Sequence, residues 1–192
     1  MNEEQNTIER DVKKDRAEKA IKRKFRKKIY WTFSILIFLG VISVIGVWYS
    51  HQKPNELPGQ SIPEQSRQHI TTTNHPAYNS NPPTSGWHFP QPAEWGAYKE
   101  EIPDETLLHN MEHGGVWISY KPNISEELKK KLEAFYEKWG RKIIVTPRSQ
   151  NDADIALAAW THLDKFSVGE YSEERIDNFI KAFRNRGPEY VP

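Results

Sequence analysis

The stretch VWISYKPNISEELKKKLEAFYEKWGRKIIVTP, residues 116–147, decides the fold of this chain. It opens with VWISY at 116–120, an apolar and β-branched run that is typical of a strand. A helix should follow, because Ser125 is a suitable N-cap with two acids behind it and Gly140 suits the C-terminus. Its apolar stripe consists of Leu128, Leu132, Phe135, Tyr136 and Trp139. KIIVT at 142–146 then predicts a second strand.

Downstream of this unit the same patterns continue. DIALAAW at 154–160 predicts a third strand, and Ser172 with its following acids opens a last helix. One side of that helix carries Ile176, Phe179, Ile180 and Phe183. The order of strand, helix, strand, strand and helix predicts an α/β or α+β fold, with a small mixed sheet and two packed helices. A loop-rich, histidine-containing region and one N-terminal transmembrane helix precede it.

A hydrophobic run near the N-terminus predicts a membrane anchor. From Ile29 to Gln52 about 24 positions carry no Asp, Glu, Lys or Arg, which is long enough to cross a bilayer of about 30 Å. Basic residues crowd its front edge between Lys22 and Lys28, whereas only Lys53 follows closely. The positive-inside rule therefore places the N-terminus in the cytoplasm. No small-x-small cleavage site follows the run, which favours an uncleaved signal anchor.

These observations divide the chain into four parts. We expect a basic cytoplasmic tail at 1–28, a transmembrane anchor at 29–50, a linker or stalk at 51–68 and an extracytoplasmic globular domain at 69–192. The linker is polar and contains three prolines without apolar periodicity, so it should be extended and mobile. The predicted location is the cell membrane, with a single span and the C-terminal domain outside the cytoplasm.

Composition excludes several function classes. The chain has no cysteine, so disulfides, thiolate metal sites and thiol catalysis are excluded, and a metal would be bound through nitrogen and oxygen. Residues 1–28 carry about 11 Lys and Arg against about 6 acids, whereas the rest is mildly acidic. Because this basic cluster lies directly before the hydrophobic run rather than on the folded domain, we discard nucleic acid as a partner.

Clustered histidines are the most informative feature of the exported part. Five of the seven histidines fall within about 45 residues: His69, His75, His88, His109 and His113. Imidazole is the commonest nitrogen ligand of transition metals. Imidazole-rich sites without thiolate suit copper and zinc, so a copper or zinc ion is the predicted cofactor. The alternative is that these rings are surface or hydrogen-bonded loop residues.

The motif HNMEH at 109–113 strengthens the metal hypothesis. On a helix, His109 and His113 stand one turn apart on the same face and can chelate one ion. The motif also matches H-x-x-E-H of inverted zinc peptidases, in which Glu112 would polarise the attacking water. Against a peptidase, two glycines follow at once and lead into a strand, whereas that motif lies inside a long helix. We interpret Met111 as a packing residue.

Several motifs in order carry a resemblance to a known family. They are HPAYNSNPPTSGWH, LLHNMEHGGVWISYKP, VTP, ALAAW and RGPE, and together they resemble the bacterial domain-of-unknown-function family 3105 from about His69 to Glu189. The resemblance implies an N-terminal membrane anchor or signal and no established activity. Some relatives have a cysteine just before the glycine at the Gly96 position, but Trp95 stands here, so a role for that thiol cannot be carried over.

The recurring pattern of this family falls on His69, Tyr78, Pro82, Pro83, Gly86, His88, Gly96, Tyr98, His109, Glu112, His113, Gly114 and Tyr120. Three hypotheses follow. The leading one is an extracytoplasmic metal-binding domain that uses His88, His109 and His113, completed by His69 or His75. The second is a zinc hydrolase with Glu112 as general base. The third is a non-catalytic module in which the histidines and Glu112 form a hydrogen-bonded network that supports a protein or cell-wall contact. The sequence leaves all three open.

Overall fold

The computed structural model describes residues 2–51 and 57–191, and the chain divides into two compact units. The first unit, up to residue 56, contains helix α1, Asn2–His51. Within its segment Lys22–Val47, an 18-residue window has a mean hydropathy of 2.2 and is not buried, so the helix is long and apolar enough to cross a membrane. The N-terminal apolar helix that the sequence predicts is therefore present.

A six-stranded mixed sheet organises the second unit. Its strands are β1 (Gln60–Ser61), β2 (Gly96–Ala97), β3 (Val116–Tyr120), β4 (Ile143–Pro147), β5 (Ile155–Ala159) and β6 (His162–Phe166). They lie in the order β1-β6-β5-β3-β4-β2. Strand β3 runs parallel to β4 and antiparallel to β5, so the strand predicted at 116–120 is central. The predicted mixed sheet is confirmed.

Helices α2 (Asp104–Glu112), α3 (Glu126–Trp139) and α4 (Glu173–Phe183) complete the unit, with a short 3₁₀ helix at Val168–Glu170. The two helices predicted from periodicity are confirmed as α3 and α4. Their caps are also as predicted: the Ser125 hydroxyl accepts a hydrogen bond from the Leu128 N–H, and the Ser172 hydroxyl accepts one from the Arg175 N–H. Gly140 ends α3 with a φ of 64°, a conformation that favours glycine.

The sheet separates two hydrophobic cores, because alternate residues of a strand face opposite sides. In β3, Ile118 packs with α3 and α4, whereas Trp117 packs with α2. Leu107, Leu108 and Met111 anchor α2 on this second core. Met111 is 1% exposed, which confirms its role in packing. The loop-rich region and α2 thus cover the face of the sheet opposite to α3 and α4.

Strand β6 was not predicted, because its sequence HLDKF contains two charged residues. Asp164 points into a largely buried position and accepts hydrogen bonds from Arg175 Nε and Nη2, both at 2.7 Å. This bidentate pair satisfies both carboxylate oxygens and makes the charge tolerable inside the fold. Arg175, the partner of Asp164, comes from α4. Because this partner is distant from the strand in the sequence, no local pattern indicated β6.

The globular unit begins at Leu57, before the boundary that we predicted at His69. Strand β1 pairs antiparallel with β6, and Ile62 is buried in the second core. The Gln65 N–H also donates to Ser85 Oγ at 2.9 Å. From Leu57 to residue 68 the predicted linker is therefore packed on the domain, because it gains a backbone ladder and an apolar contact. Residues 52–56 of the predicted stalk lie outside the described residues.

Candidate metal centre

Three of the predicted metal ligands converge in the structure. One donor atom from each of His69, His88 and His109 lies within 4.8 Å of the other two. The ring of His69 stacks on that of His109, with centroids 5.0 Å apart, and lies edge-on to that of His88 at 4.8 Å. His88 is fully buried and His109 is 5% exposed, whereas the His69 side chain is 49% exposed. Two rings of the cluster are therefore buried, and one is accessible to solvent.

Backbone contacts bring these distant residues together. Residues 69 and 88 form an isolated parallel β-bridge, in which the Ile70 N–H donates to the His88 carbonyl and the His88 N–H donates to the Gln68 carbonyl. His109 comes from the last turn of α2, which the second core holds in place. The three ligands thus depend on a bridge between two loops and on a helix that packs beneath them.

The Nδ1 atoms of the two buried rings are bound to backbone carbonyls. His88 Nδ1 lies 2.7 Å from the Gly86 carbonyl oxygen, and His109 Nδ1 lies 2.7 Å from that of Phe89. A carbonyl oxygen only accepts, so each Nδ1 carries the proton and donates it. A neutral ring then presents the lone pair of Nε2 to the cluster. Metal-ligating histidines are oriented by the same arrangement.

Glu112 adds a buried carboxylate to the cluster. Its Oε2 atom lies 2.9 Å from His88 Nε2 and 3.8 Å from His69 Nε2, and the residue is 5% exposed. With the His88 proton on Nδ1, the lone pairs of Nε2 and Oε2 face each other and repel. A positive charge between them, a second proton on the ring or a metal ion, turns this repulsion into attraction.

His113 lies beside His109 on its other side. It is the C-cap of α2, and its N–H still donates to the His109 carbonyl at 3.1 Å, so the one-turn spacing survives although the helix ends at Glu112. The two Nε2 atoms are 3.1 Å apart. His113 Nε2 also lies 3.2 Å from Glu189 Oε2. The C-terminal segment thus delivers a second carboxylate, which the sequence indicated only as part of the RGPE motif.

His75 does not join the cluster. Its Nδ1 lies 2.8 Å from the Pro76 carbonyl oxygen, and its Nε2 lies 3.2 Å from Glu105 Oε1. The ring packs against Tyr78 and borders a separate cavity of about 430 Å³. Of the two histidines expected to complete the site, the structure brings in His69. His162 also lies outside the cluster, because its Nδ1 atom is 3.2 Å from the Trp160 carbonyl oxygen and its ring packs against that of Phe183.

Burial lowers the pKa of His109 below its ordinary value. The neighbouring rings of His113, His88 and His69 act in the same direction, and the hydrogen bond with the Phe89 carbonyl partly opposes them. The lowered pKa keeps the ring neutral at neutral pH. Its Nε2 lone pair is therefore available to a cation.

Comparisons with known proteins place the chain in a family. The family model described as "Protein of unknown function (DUF3105)" matches residues 69–191, more than half of the chain. The match covers every member of the histidine cluster, together with Glu112 and Glu189. Comparisons with curated proteins and with solved structures give no significant match. The family match agrees with the resemblance found from the ordered motifs, and the chain belongs to the DUF3105 family.

Proposed function

We propose that this protein is a membrane-anchored, extracytoplasmic metal-binding protein whose domain binds copper or zinc. The observation that carries the proposal is the convergence of His69, His88 and His109 beside the buried carboxylate of Glu112. Burying a carboxylate is costly unless a positive charge compensates it. A metal ion supplies that charge and uses the inward-facing Nε2 lone pairs at the same time.

The donor set fits both metals. Imidazole with carboxylate and no thiolate is a common ligand set for zinc and for copper. Ligand atoms 2.0–2.1 Å from a tetrahedral ion lie about 3.4 Å from one another. The three histidine donors spread over as much as 4.8 Å, so binding requires the widest separation to shorten by about 1.4 Å. His69 is the member free to move, because its side chain is the exposed one.

The zinc hydrolase with Glu112 as general base is the second candidate. Its support is that Glu112 lies inside the histidine cluster, as an H-x-x-E-H site requires. Two features favour binding over hydrolysis: α2 ends at Glu112 instead of continuing through the motif, and Oε2 is close enough to His88 Nε2 to share its cation. A module that keeps only the hydrogen-bonded network is the third candidate, and it predicts no bound metal.

Topology is part of the proposal. We propose the basic tail at 1–28 in the cytoplasm, the anchor at 29–50, and the globular domain outside. The support is the apolar segment Lys22–Val47 and the crowding of basic residues at its front edge. Residues 52–56 then serve as the proposed short connection, and the membrane and a metal ion are the proposed partners.

Metal content tests the metal proposal directly. We expect the full chain, purified in detergent and loaded with Zn²⁺ or Cu²⁺, to retain at least one ion per chain by elemental analysis. Metal in 100-fold excess over its Kd should raise the free energy of unfolding by about 2.7 kcal/mol, and a chelator should reverse the gain in melting temperature. His109→Ala should lower the metal content and the metal-dependent gain in stability, whereas His162→Ala, outside the cluster, should keep both even if it lowers the stability of the metal-free protein. A melting temperature insensitive to chelator, with no stoichiometric metal, contradicts the proposal.

Single cysteines test the topology, because the chain has none of its own. Lys130→Cys lies on the exposed face of α3, and Thr7→Cys lies in the tail. In intact cells, a membrane-impermeant maleimide should label the cysteine at 130 and should reach the cysteine at 7 only after permeabilisation. Labelling in the reverse order would contradict the proposed orientation.

A further inference from the structure

We propose that the cluster is a two-cation centre, built from two sets that each contain two histidines and one carboxylate. The inference rests on the proposed function and deepens it: the three converging histidines are divided between two adjacent cations instead of all binding one. The first set is His69, His88 and Glu112, and the second is His109, His113 and Glu189. The end of α2 separates them, because adjacent residues Glu112 and His113 supply one ligand to each set.

Two donor separations within each set suit coordination. In the first, Glu112 Oε2 lies 2.9 Å from His88 Nε2 and 3.8 Å from His69 Nε2. In the second, His113 Nε2 lies 3.1 Å from His109 Nε2 and 3.2 Å from Glu189 Oε2. These separations bracket the value of about 3.4 Å between ligand atoms around a tetrahedral ion. Each set also has one ring whose Nδ1 is bound to a backbone carbonyl, His88 in the first and His109 in the second.

One cation cannot use all six donors. A zinc or copper ion in a nitrogen and oxygen site takes about four ligands. His109 has only Nε2 to offer, because its Nδ1 is bound to the Phe89 carbonyl, and that Nε2 is 3.1 Å from His113 Nε2. The stacked rings of His69 and His109, with centroids 5.0 Å apart, bring the two sets next to each other. Paired metal ions in proteins are typically about 3.5–4 Å apart.

The C-terminal segment is built to deliver Glu189. The Asn185 N–H donates to the Gly114 carbonyl at 2.8 Å, and the Glu189 N–H donates to the Glu112 carbonyl at 3.0 Å. Between these two residues, Gly187 packs closely against the backbone of the turn at the end of α2. A Cβ added to Gly187 would lie 2.1 Å from the backbone carbonyl oxygen of Glu112 and 2.2 Å from the backbone nitrogen of Gly114. Only glycine permits this approach. The backbone therefore holds Glu189 in place although its side chain is 57% exposed.

The carboxylates of the two sets differ in exposure, which predicts an order of binding. Each set has one buried ring, His88 or His109, and one more exposed ring, His69 or His113. The Glu112 side chain, however, is 7% exposed, whereas that of Glu189 is 57% exposed. Charge interactions are weaker where water screens them. The first cation should therefore bind more tightly, and the second should exchange more readily.

Stoichiometry tests the inference and separates it from the proposed function. We expect calorimetric titration of the full chain with Zn²⁺ to show two ions per chain in two phases. Glu189→Gln should keep the first phase and weaken the second at least about 10-fold, since loss of one ligating or orienting carboxylate costs that much or more. Glu137→Gln, an exposed carboxylate of α3, is the matched control and should keep both phases.

Spectroscopy gives an independent measurement. Two Cu²⁺ ions in adjacent sets should couple magnetically and broaden or abolish the electron paramagnetic resonance signal, whereas the Glu189→Gln protein with one ion should show an ordinary isolated signal. One ion per chain, unchanged by Glu189→Gln, would overturn the two-cation inference and leave the proposed function standing. No bound ion in the wild-type chain would overturn both.

Discussion

Replacing His88 with alanine is expected to abolish binding of the first cation, the one proposed for His69, His88 and Glu112. His88 is the fully buried member of the cluster, and it joins the Gly86 carbonyl on one side to Glu112 on the other. Its loss removes a ligand and also the group that orients the carboxylate. Loss of an outer partner alone weakens metal binding roughly 10- to 100-fold, so loss of this ligand should exceed that range.

His75→Ala is the matched control for this prediction. His75 has the same kinds of partner as His88, a backbone carbonyl and a glutamate, but lies outside the cluster. Both variants should lose stability, about 1–3 kcal/mol for His88→Ala, because each leaves a backbone carbonyl without its imidazole donor and the Gly86 carbonyl is buried. Only His88→Ala should lose the first cation, as measured by elemental analysis and calorimetry. If His88→Ala bound metal with the wild-type affinity, the assigned centre would be wrong.

Replacing Arg148 with alanine is expected to destabilise the domain by about 3–5 kcal/mol, the cost of breaking a buried ion pair. Arg148 Nε and Nη2 donate to the two oxygens of Asp104 at 2.8 and 2.7 Å. Nη1 donates to Asn81 Oδ1 at 2.6 Å and to Asn151 Oδ1 at 3.0 Å. The residue is 6% exposed, so its removal leaves three polar side chains without their common partner.

This pair lies at the opposite end of α2 from the candidate ligands, because Asp104 begins the helix that ends with Glu112. Urea denaturation followed by tryptophan fluorescence should show the loss of stability. Lys165→Ala is the control: it breaks a pair with Asp152 at 2.8 Å that is partly exposed on both sides, and should cost at most about 1 kcal/mol. Equal effects of the two substitutions would show that burial does not strengthen the Arg148 interaction.

Much of the fold was predictable because its signals are local. The apolar run of β3, the stripe of α3 and its cap at Ser125 each lie within one short stretch, and each formed as predicted. The long apolar segment of α1 was equally evident. Strand β6 escaped prediction because Asp164 looks unsuitable for a buried strand until Arg175 of α4 is placed beside it. Strand β1 escaped because its partner is distant in the chain.

In the candidate site, too, the local features were predictable and the contacts between distant residues were not. The chemistry of the residues was evident from sequence, since clustered histidines without cysteine already favoured copper or zinc. The sequence did not show which of the histidines meet. The structure brings His69 into the cluster and leaves His75 in a separate contact with Glu105. The carboxylate of Glu189 also reaches His113 only because the C-terminal segment packs back onto α2.

By itself the sequence determined the long apolar helix, three of the six strands with helices α3 and α4, and the nitrogen and oxygen character of the candidate ligands. These follow from the spacing and type of residues close together in the chain. Only the tertiary structure decided which imidazoles and carboxylates meet. That outcome depends on the bridge between residues 69 and 88 and on the close approach at Gly187. Both are contacts between distant segments, and their geometry exists only after the two cores have packed.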